Sequence, residues 1–290
     1  MADSTANDTA VAIDLGQRHG PFPGTLDPTA IDQYAAATND TNPLVASGTA
    51  VPATFPVILI FDAQWAANAA VPKAVYQSGR NGVHGEHEVL MHRPLVPGEA
   101  LETYSEPFAV RNTRAGARVV LHMEQYGADG RLAVEHWWTI FFPGCDLLTD
   151  VGPEPPDHTF PETAREHLVG SATEHVELDT PTRYAEVSND WSAHHFELDA
   201  AHGAGVDHLF AHGLCTMAMC TQAAVAMVAD GDPARVRRVA VRFASPTRLD
   251  ADVTIDVYDA SATEGPGVYA FEATCAGAPV IKHGRLELFS

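Results

Sequence analysis

A chain of 290 residues with 46% hydrophobic content is long enough for one large domain or for two of about 150 residues, each with its own core. Its formal net charge of −21 excludes nucleic acid and anionic membrane surfaces as general partners, although a local arginine cluster can still meet an anionic small molecule. No run reaches the roughly 18 apolar residues of a membrane span, and the polar opening Met1-Ala2-Asp3-Ser4 lacks the basic start and apolar core of a signal peptide, so the expected location is cytoplasmic.

Residues 1–25 are polar and rich in small side chains, which predicts a flexible N-terminal arm. Asp27-Pro28 can cap a short helix running to Ala37. The apolar run 54–70, interrupted by Pro56 and followed by Pro72, is long enough for a buried helix. From Val83 the pattern changes to strands over 85–92, 101–110, 117–126 and 132–142, divided by polar, glycine-bearing turns. Residues 143–170 contain Pro153, Pro155, Pro156 and Pro161 and read as an ordered linker. A second long apolar helix spans 209–229, with Ala218, Ala223, Ala224 and Ala226 small enough for a sheet to wrap closely around it. Over 238–245 Val239, Val241 and Phe243 alternate with Arg238, Ala240 and Arg242, the signature of a half-buried strand. Strands over 252–260, 267–276 and 279–289 complete the chain. The four cysteines, Cys145, Cys215, Cys220 and Cys275, include no C-x-x-C pair and read as reduced, packed thiols.

The two halves repeat one plan of loop with Asp, apolar helix and several antiparallel strands. Asp40 precedes Asp190 by 150 positions, and Arg93-Pro94 precedes Ser245-Pro246 by 152. The reading is an internal duplication, with halves at 26–142 and 171–290. A curled sheet leaves an open edge, and pairing the halves edge to edge would cover it.

The chemistry gathers in Ser188-Asn189-Asp190-Trp191-Ser192-Ala193-His194-His195-Phe196-Glu197 and in Phe210-Ala211-His212-Gly213-Leu214. Asp190 and His195 lie five positions apart in a loop and can converge on one small volume. Gly213 follows at the start of the second helix, where free N–H groups and the positive end of the dipole suit an oxygen that becomes negative during reaction. The bland readings are a turn-forming Asp and a hydrogen-bonded structural His. A zinc site among His194, His195, His202, His208 and His212 is a further alternative, against which stands the lack of an H-E-x-x-H or H-x-H pattern.

These segments resemble the MaoC-like dehydratases, or (R)-specific enoyl-CoA hydratases, whose pattern is roughly S-G-D-x-N-P-[LI]-H-x-[DE] followed by a helix opening with H-G. Ser188, Asp190, His195, His212 and Gly213 match in type and spacing. Asn189, Ser192, Ala193 and His194 depart from the pattern. Residues 84–88 and 92–95 also look like the non-catalytic half of double-hot-dog members. The resemblance implies an α+β double hot dog, with two antiparallel sheets each wrapped around a long central helix. It implies reversible hydration of 2-enoyl thioesters, or dehydration of (R)-3-hydroxyacyl thioesters, with CoA or acyl carrier protein as the thiol.

By the same resemblance Asp190 and His195 hold the water and share the general acid and base roles, while the Gly213 N–H polarises the thioester carbonyl. His195 is expected to titrate near neutral pH. Ser192 stands where the family's Asn holds the reacting groups. Thr221, two helical turns past Gly213, falls where some members use a hydroxyl, unless it bonds back to its own helix. Arg238 and Arg242, within the densest basic cluster, are the candidates for phosphate contact. No cofactor or metal is expected, and the chain is expected to be a homodimer or a pseudo-dimeric monomer. Val45 stands where His195 stands in the second half, so the first half is expected to be catalytically silent. The competing functions are a non-catalytic thioester-binding module and a hot-dog thioesterase.

Overall fold

The computed structural model describes residues 13–77, 82–146 and 148–290. Twelve strands succeed one another as β1 (His19–Thr25), β2 (Val83–Met91), β3 (Ala100–Thr113), β4 (Gly116–Gly127), β5 (Leu132–Pro143), β6 (Leu168–Val176), β7 (Phe210–Ala211), β8 (Val236–Phe243), β9 (Thr247–Arg248), β10 (Ala251–Asp259), β11 (Val268–Cys275) and β12 (Ala278–Leu288). Ten of them form one antiparallel sheet in the order β1-β3-β4-β5-β2-β8-β12-β11-β10-β6. The helices that matter for the site are α1 (Pro28–Ala37), α2 (Phe61–Asn68), α3 (Thr180–Ser188) and α4 (Gly213–Val228).

The strands form where side chains alternate. In β10, Val253, Ile255 and Val257 are fully buried while Asp252, Thr254 and Asp256 point away, so one face packs on helix and the other meets water. The helix so covered is α4, apolar almost all round and buried from Leu214 to Cys220, with Ala218, Ala223 and Ala224 admitting the sheet. The halves join where β2 pairs with β8, from Glu86 opposite Arg242 to Leu90 opposite Arg238. A single chain thereby supplies both halves of the edge-to-edge pair. Further bonds cross between the halves, from Gln222 Nε2 to the Thr38 carbonyl (2.7 Å) and from Asn39 Nδ2 to the His175 carbonyl (2.9 Å).

Three expectations change. The apolar run 54–70 is not one helix but a 3-10 turn, Phe55–Leu59, followed by the two-turn α2. Pro56 sits in that first turn, and Pro72 disfavours helical backbone at Val71, so neither end can extend. Of the arm read over 1–25, residues 1–12 lie outside the described residues, but His19–Thr25 forms β1 on the outer edge of β3. Pro21 and Pro23 are tolerated there because an edge strand needs only one row of hydrogen bonds. At the opposite edge β6 begins at Leu168, inside the span read as linker. The rest of that span crosses the outer face of the sheet, where Arg238 Nη2 donates to the Asp157 carbonyl (2.9 Å) and Phe160 packs with Val268 and Ala270. Among the described residues no helix is long and apolar enough to cross a membrane.

Candidate active site

Helix α3 ends at Asn189, whose backbone is left-handed (φ 60°) and whose N–H bonds the Ala185 carbonyl. Asn tolerates this conformation at little cost, so it replaces the family's Gly at the same turn. Asn39 has the same conformation (φ 59°) before Asp40, and the two turns are copies of one device.

After the turn, Asp190 Oδ1 accepts from both the backbone N–H (3.2 Å) and the hydroxyl of Ser192. Ser192 therefore fixes the carboxylate, a contact made by the protein's own residue. A 3-10 turn, Ala193–His195, then brings His195 back beneath β7, where its Nδ1–H donates to the Phe210 carbonyl at 2.9 Å. His212 stacks on His195 with ring centres 3.7 Å apart, and its Nε2–H donates to the Asp190 backbone carbonyl at 2.9 Å. Asp190, His195 and His212 each present a polar atom within 4.8 Å of the others. Asp190 keeps 24% of its side chain exposed, while His212 keeps 2%, so solvent reaches the carboxylate and the imidazole is shielded.

Gly213 begins α4 directly after His212. First-turn N–H groups have no partner within a helix. A Cβ at Gly213 would lie 3.1 Å from the Phe243 ring, a contact tight enough that the ring would have to shift to admit it.

Burial pushes the His195 pKa down to about 2, with His212 and His194 adding to the effect and the Phe210 carbonyl opposing it. The expectation that His195 titrates near neutral pH is therefore corrected. Its imidazole stays neutral, with Nδ1–H committed and Nε2 left as a lone pair for a water proton. Because the neutral form persists as pH falls through 6.5, kcat/KM for any reaction at this site should show no acid limb from His195 between about pH 5 and 8. A steep fall centred near 6.5, abolished in His195→Gln, would show that the imidazole is protonated there after all.

Three other expected residues are not brought to the site. Thr221 donates its hydroxyl to the Met217 carbonyl (2.8 Å) and lines a small cavity with Tyr34, Thr38 and Asp40. Eight residues along α4 it lies roughly 12 Å from Gly213. Arg238 grips Glu88 through Nε (2.7 Å) and Nη2 (2.8 Å), with Glu287 on Nη1 (3.0 Å), and Arg242 Nε pairs with Glu86 (2.7 Å). Strand alternation puts both arginines on the face of β8 opposite Phe243, away from α4. They hold the seam between the halves, where Arg238 keeps 12% of its side chain exposed and Arg242 keeps 38%. The sequence reading gave His212 no task beyond opening the helix; its bond to the Asp190 carbonyl depends on a contact 22 residues away. The close trio of Asp190, His195 and His212 also meets the spacing for one divalent ion, so the zinc alternative is a matter for chelation.

The family model described as MaoC like domain matches residues 159–266, and that described as FAS1-like, dehydratase domain region matches residues 14–135. The chain overlays a MaoC-like dehydratase from Phytophthora capsici with a TM-score of 0.80 at 19% identity, over 93% of this chain and 95% of that one. The second half of the chain thus matches the MaoC-like domain, and the whole chain has the fold of a MaoC-like dehydratase. A Mycobacterium tuberculosis protein with a double hot-dog fold overlays this chain with a TM-score of 0.62 at 14% identity, over 95% and 96% of the two chains. The ten-stranded sheet is accordingly a double hot dog. In sequence, the chain is 27% identical over 186 residues to Peroxisomal multifunctional enzyme type 2 of Drosophila melanogaster, a match that covers 61% of this chain and 30% of that protein.

Proposed function

We propose that the protein catalyses reversible hydration of 2-enoyl thioesters, equivalently dehydration of (R)-3-hydroxyacyl thioesters. The observation that carries this reading is the convergence of the Asp190 carboxylate and the neutral His195 on one volume beside the first turn of α4. In the proposed step a water is held between Asp190 and His195 Nε2, and its oxygen bonds to C3 of the enoyl group. As the water gives a proton to the dyad, the π bond between C2 and C3 breaks and its electron pair moves toward the thioester oxygen held by the Gly213 N–H; the pair then returns to C2, which takes that proton from the dyad. Similarity to MaoC-like dehydratases and to the multifunctional enzyme supports the reaction class. The thiol carrier, coenzyme A or acyl carrier protein, is part of the proposal. With Arg238 held by Glu88 and Glu287, Arg242, whose side chain stays 38% exposed, is the better placed of the two to meet its phosphates.

Crotonyl-CoA and longer enoyl-CoAs mixed with the protein should lose enoyl absorbance without releasing free thiol. Thiol release in place of hydration would identify a thioesterase, and binding without either change would identify a carrier module. Activity lost on chelation and restored by zinc would replace this mechanism with a metal-dependent one.

A further inference from the structure

Three neighbouring strands of the first half gather a second group of ionisable side chains, on the face of the sheet turned away from the core. In β4, His122 and Glu124 alternate with Leu121, Met123 and Gln125, which are fully buried on the inner face. Glu124 stands directly opposite Glu135 on β5, and His122 directly opposite Glu106 on β3. Like charges set opposite each other across a ladder are destabilising, so the Glu124–Glu135 pair calls for a cation nearby. His122, Glu124 and Glu135 each bring one ligand atom within 4.8 Å of the other two. His122 Nε2 and Glu135 Oε1 are 3.0 Å apart. Donors held at about 2.0–2.2 Å from one zinc ion stand about 3.0–3.5 Å from each other, so a small side-chain rotation would close the trio on an ion.

The far atoms of the three side chains already have partners. His122 Nδ1 looks to Glu106 Oε1 (3.9 Å), Glu124 Oε2 pairs with Arg18 Nη2 (2.9 Å), and Glu135 Oε2 faces His92 Nε2 (2.6 Å). His92 is placed there by its backbone N–H, which bonds the Ala133 carbonyl at 2.9 Å. Outer partners of this kind fix the orientation of metal ligands and leave their inner lone pairs free. A neutral imidazole has one N–H for the two carboxylates that His122 faces, and with Nδ1–H directed at Glu106 the lone pair on Nε2 points to Glu135. Two acceptors so placed need a cation between them. The charges agree: Glu106, Glu124 and Glu135 against Arg18 leave two negative charges, which one divalent ion balances.

We propose that His122, Glu124 and Glu135 form a binding site for one divalent transition-metal ion, with zinc the best match to one imidazole nitrogen and two carboxylate oxygens. Magnesium and calcium favour all-oxygen sets. The ion ties β4 to β5 on the outer face of the first half, so its role is to hold the sheet and not to act at Asp190. Protonation of both His122 and His92 would balance the same charge without a metal, and zinc binding decides between the two arrangements.

The test reads binding and position, not activity. Zinc chloride is titrated calorimetrically into the chelator-washed full-length protein, and zinc-edge anomalous diffraction from crystals of the unaltered protein grown with zinc locates the ion without any substitution. At least one equivalent should bind with a Kd in the micromolar range or tighter and should persist in Asp190→Asn, which removes the carboxylate of the other close trio. Glu124→Gln and Glu135→Gln should each abolish that equivalent, and His92→Phe, which touches only the outer oxygen of Glu135, should weaken it about tenfold. The anomalous peak should lie among His122 Nε2, Glu124 and Glu135. Zinc binding weaker than millimolar would mean that the two imidazoles carry the balancing protons and would overturn the proposal. So would an equivalent that vanishes in Asp190→Asn yet survives both glutamate substitutions, or a zinc-loaded crystal without a peak at this trio.

Discussion

Asp190→Asn and His195→Gln will each lower kcat for enoyl-thioester hydration by about a hundredfold or more, and the double variant will be little worse than either alone. The magnitude is the low end of what positioned acid–base groups contribute. The near-equality follows from geometry. A water that must touch both the carboxylate and His195 Nε2 loses its position when either is altered, so removing the second group removes little more. His195 is neutral and its Nδ1–H is tied to the Phe210 carbonyl, so the imidazole can receive a proton only at Nε2. Glutamine at 195 offers an amide with no comparable basicity. Single-turnover rates on crotonyl-CoA, with circular dichroism to show that each variant is folded, check the result. Near-normal turnover in either single variant would remove that residue from the mechanism. Losses that simply multiply in the double variant would mean that the two act at separate steps.

The division between what the sequence disclosed and what it hid has physical causes. The eight strands of the two meanders were legible to within a few residues because glycine-bearing turns and period-two alternation are local signals. The edge strands β1 and β6 were not. One carries two prolines, and the other is exposed at Leu168 and Val169, so neither shows the alternation of a half-buried strand. In β8 the alternation of Arg238, Ala240 and Arg242 against Val239, Val241 and Phe243 was legible, yet alternation does not say which face meets a ligand. That depends on Glu86 and Glu88, about 150 positions away, arriving opposite the arginines across the seam. The five-residue spacing of Asp190 and His195 was readable as a motif. The protonation of His195 was not, because desolvation is set by the whole fold around the ring.

The first half is proposed to be catalytically silent but structurally required, and this can be tested from both sides. Asp40 repeats the Asp190 turn, with its Oδ1 accepting from the Asn42 N–H at 2.9 Å, but the residues that would make it useful are missing. Val45, fully buried, stands where His195 stands, and Phe61 begins α2 at the same 152-residue offset from Gly213 that relates the two proline motifs. An aliphatic side chain cannot exchange a proton, and Phe61 packs its ring on Trp138. Asp40→Asn should therefore leave kcat within a few-fold. Residues 159–290 expressed alone, a cut that keeps β6 whole, should be aggregated or inactive. Without β2 the edge of β8 is open, and Arg238 loses Glu88, a pair whose side chains are 12% and 5% exposed. Size-exclusion chromatography and the crotonyl-CoA assay on the two proteins decide the matter. Abolished turnover in a well-folded Asp40→Asn would assign the first half a catalytic share, and a monomeric, fully active fragment would show that the second half needs no partner.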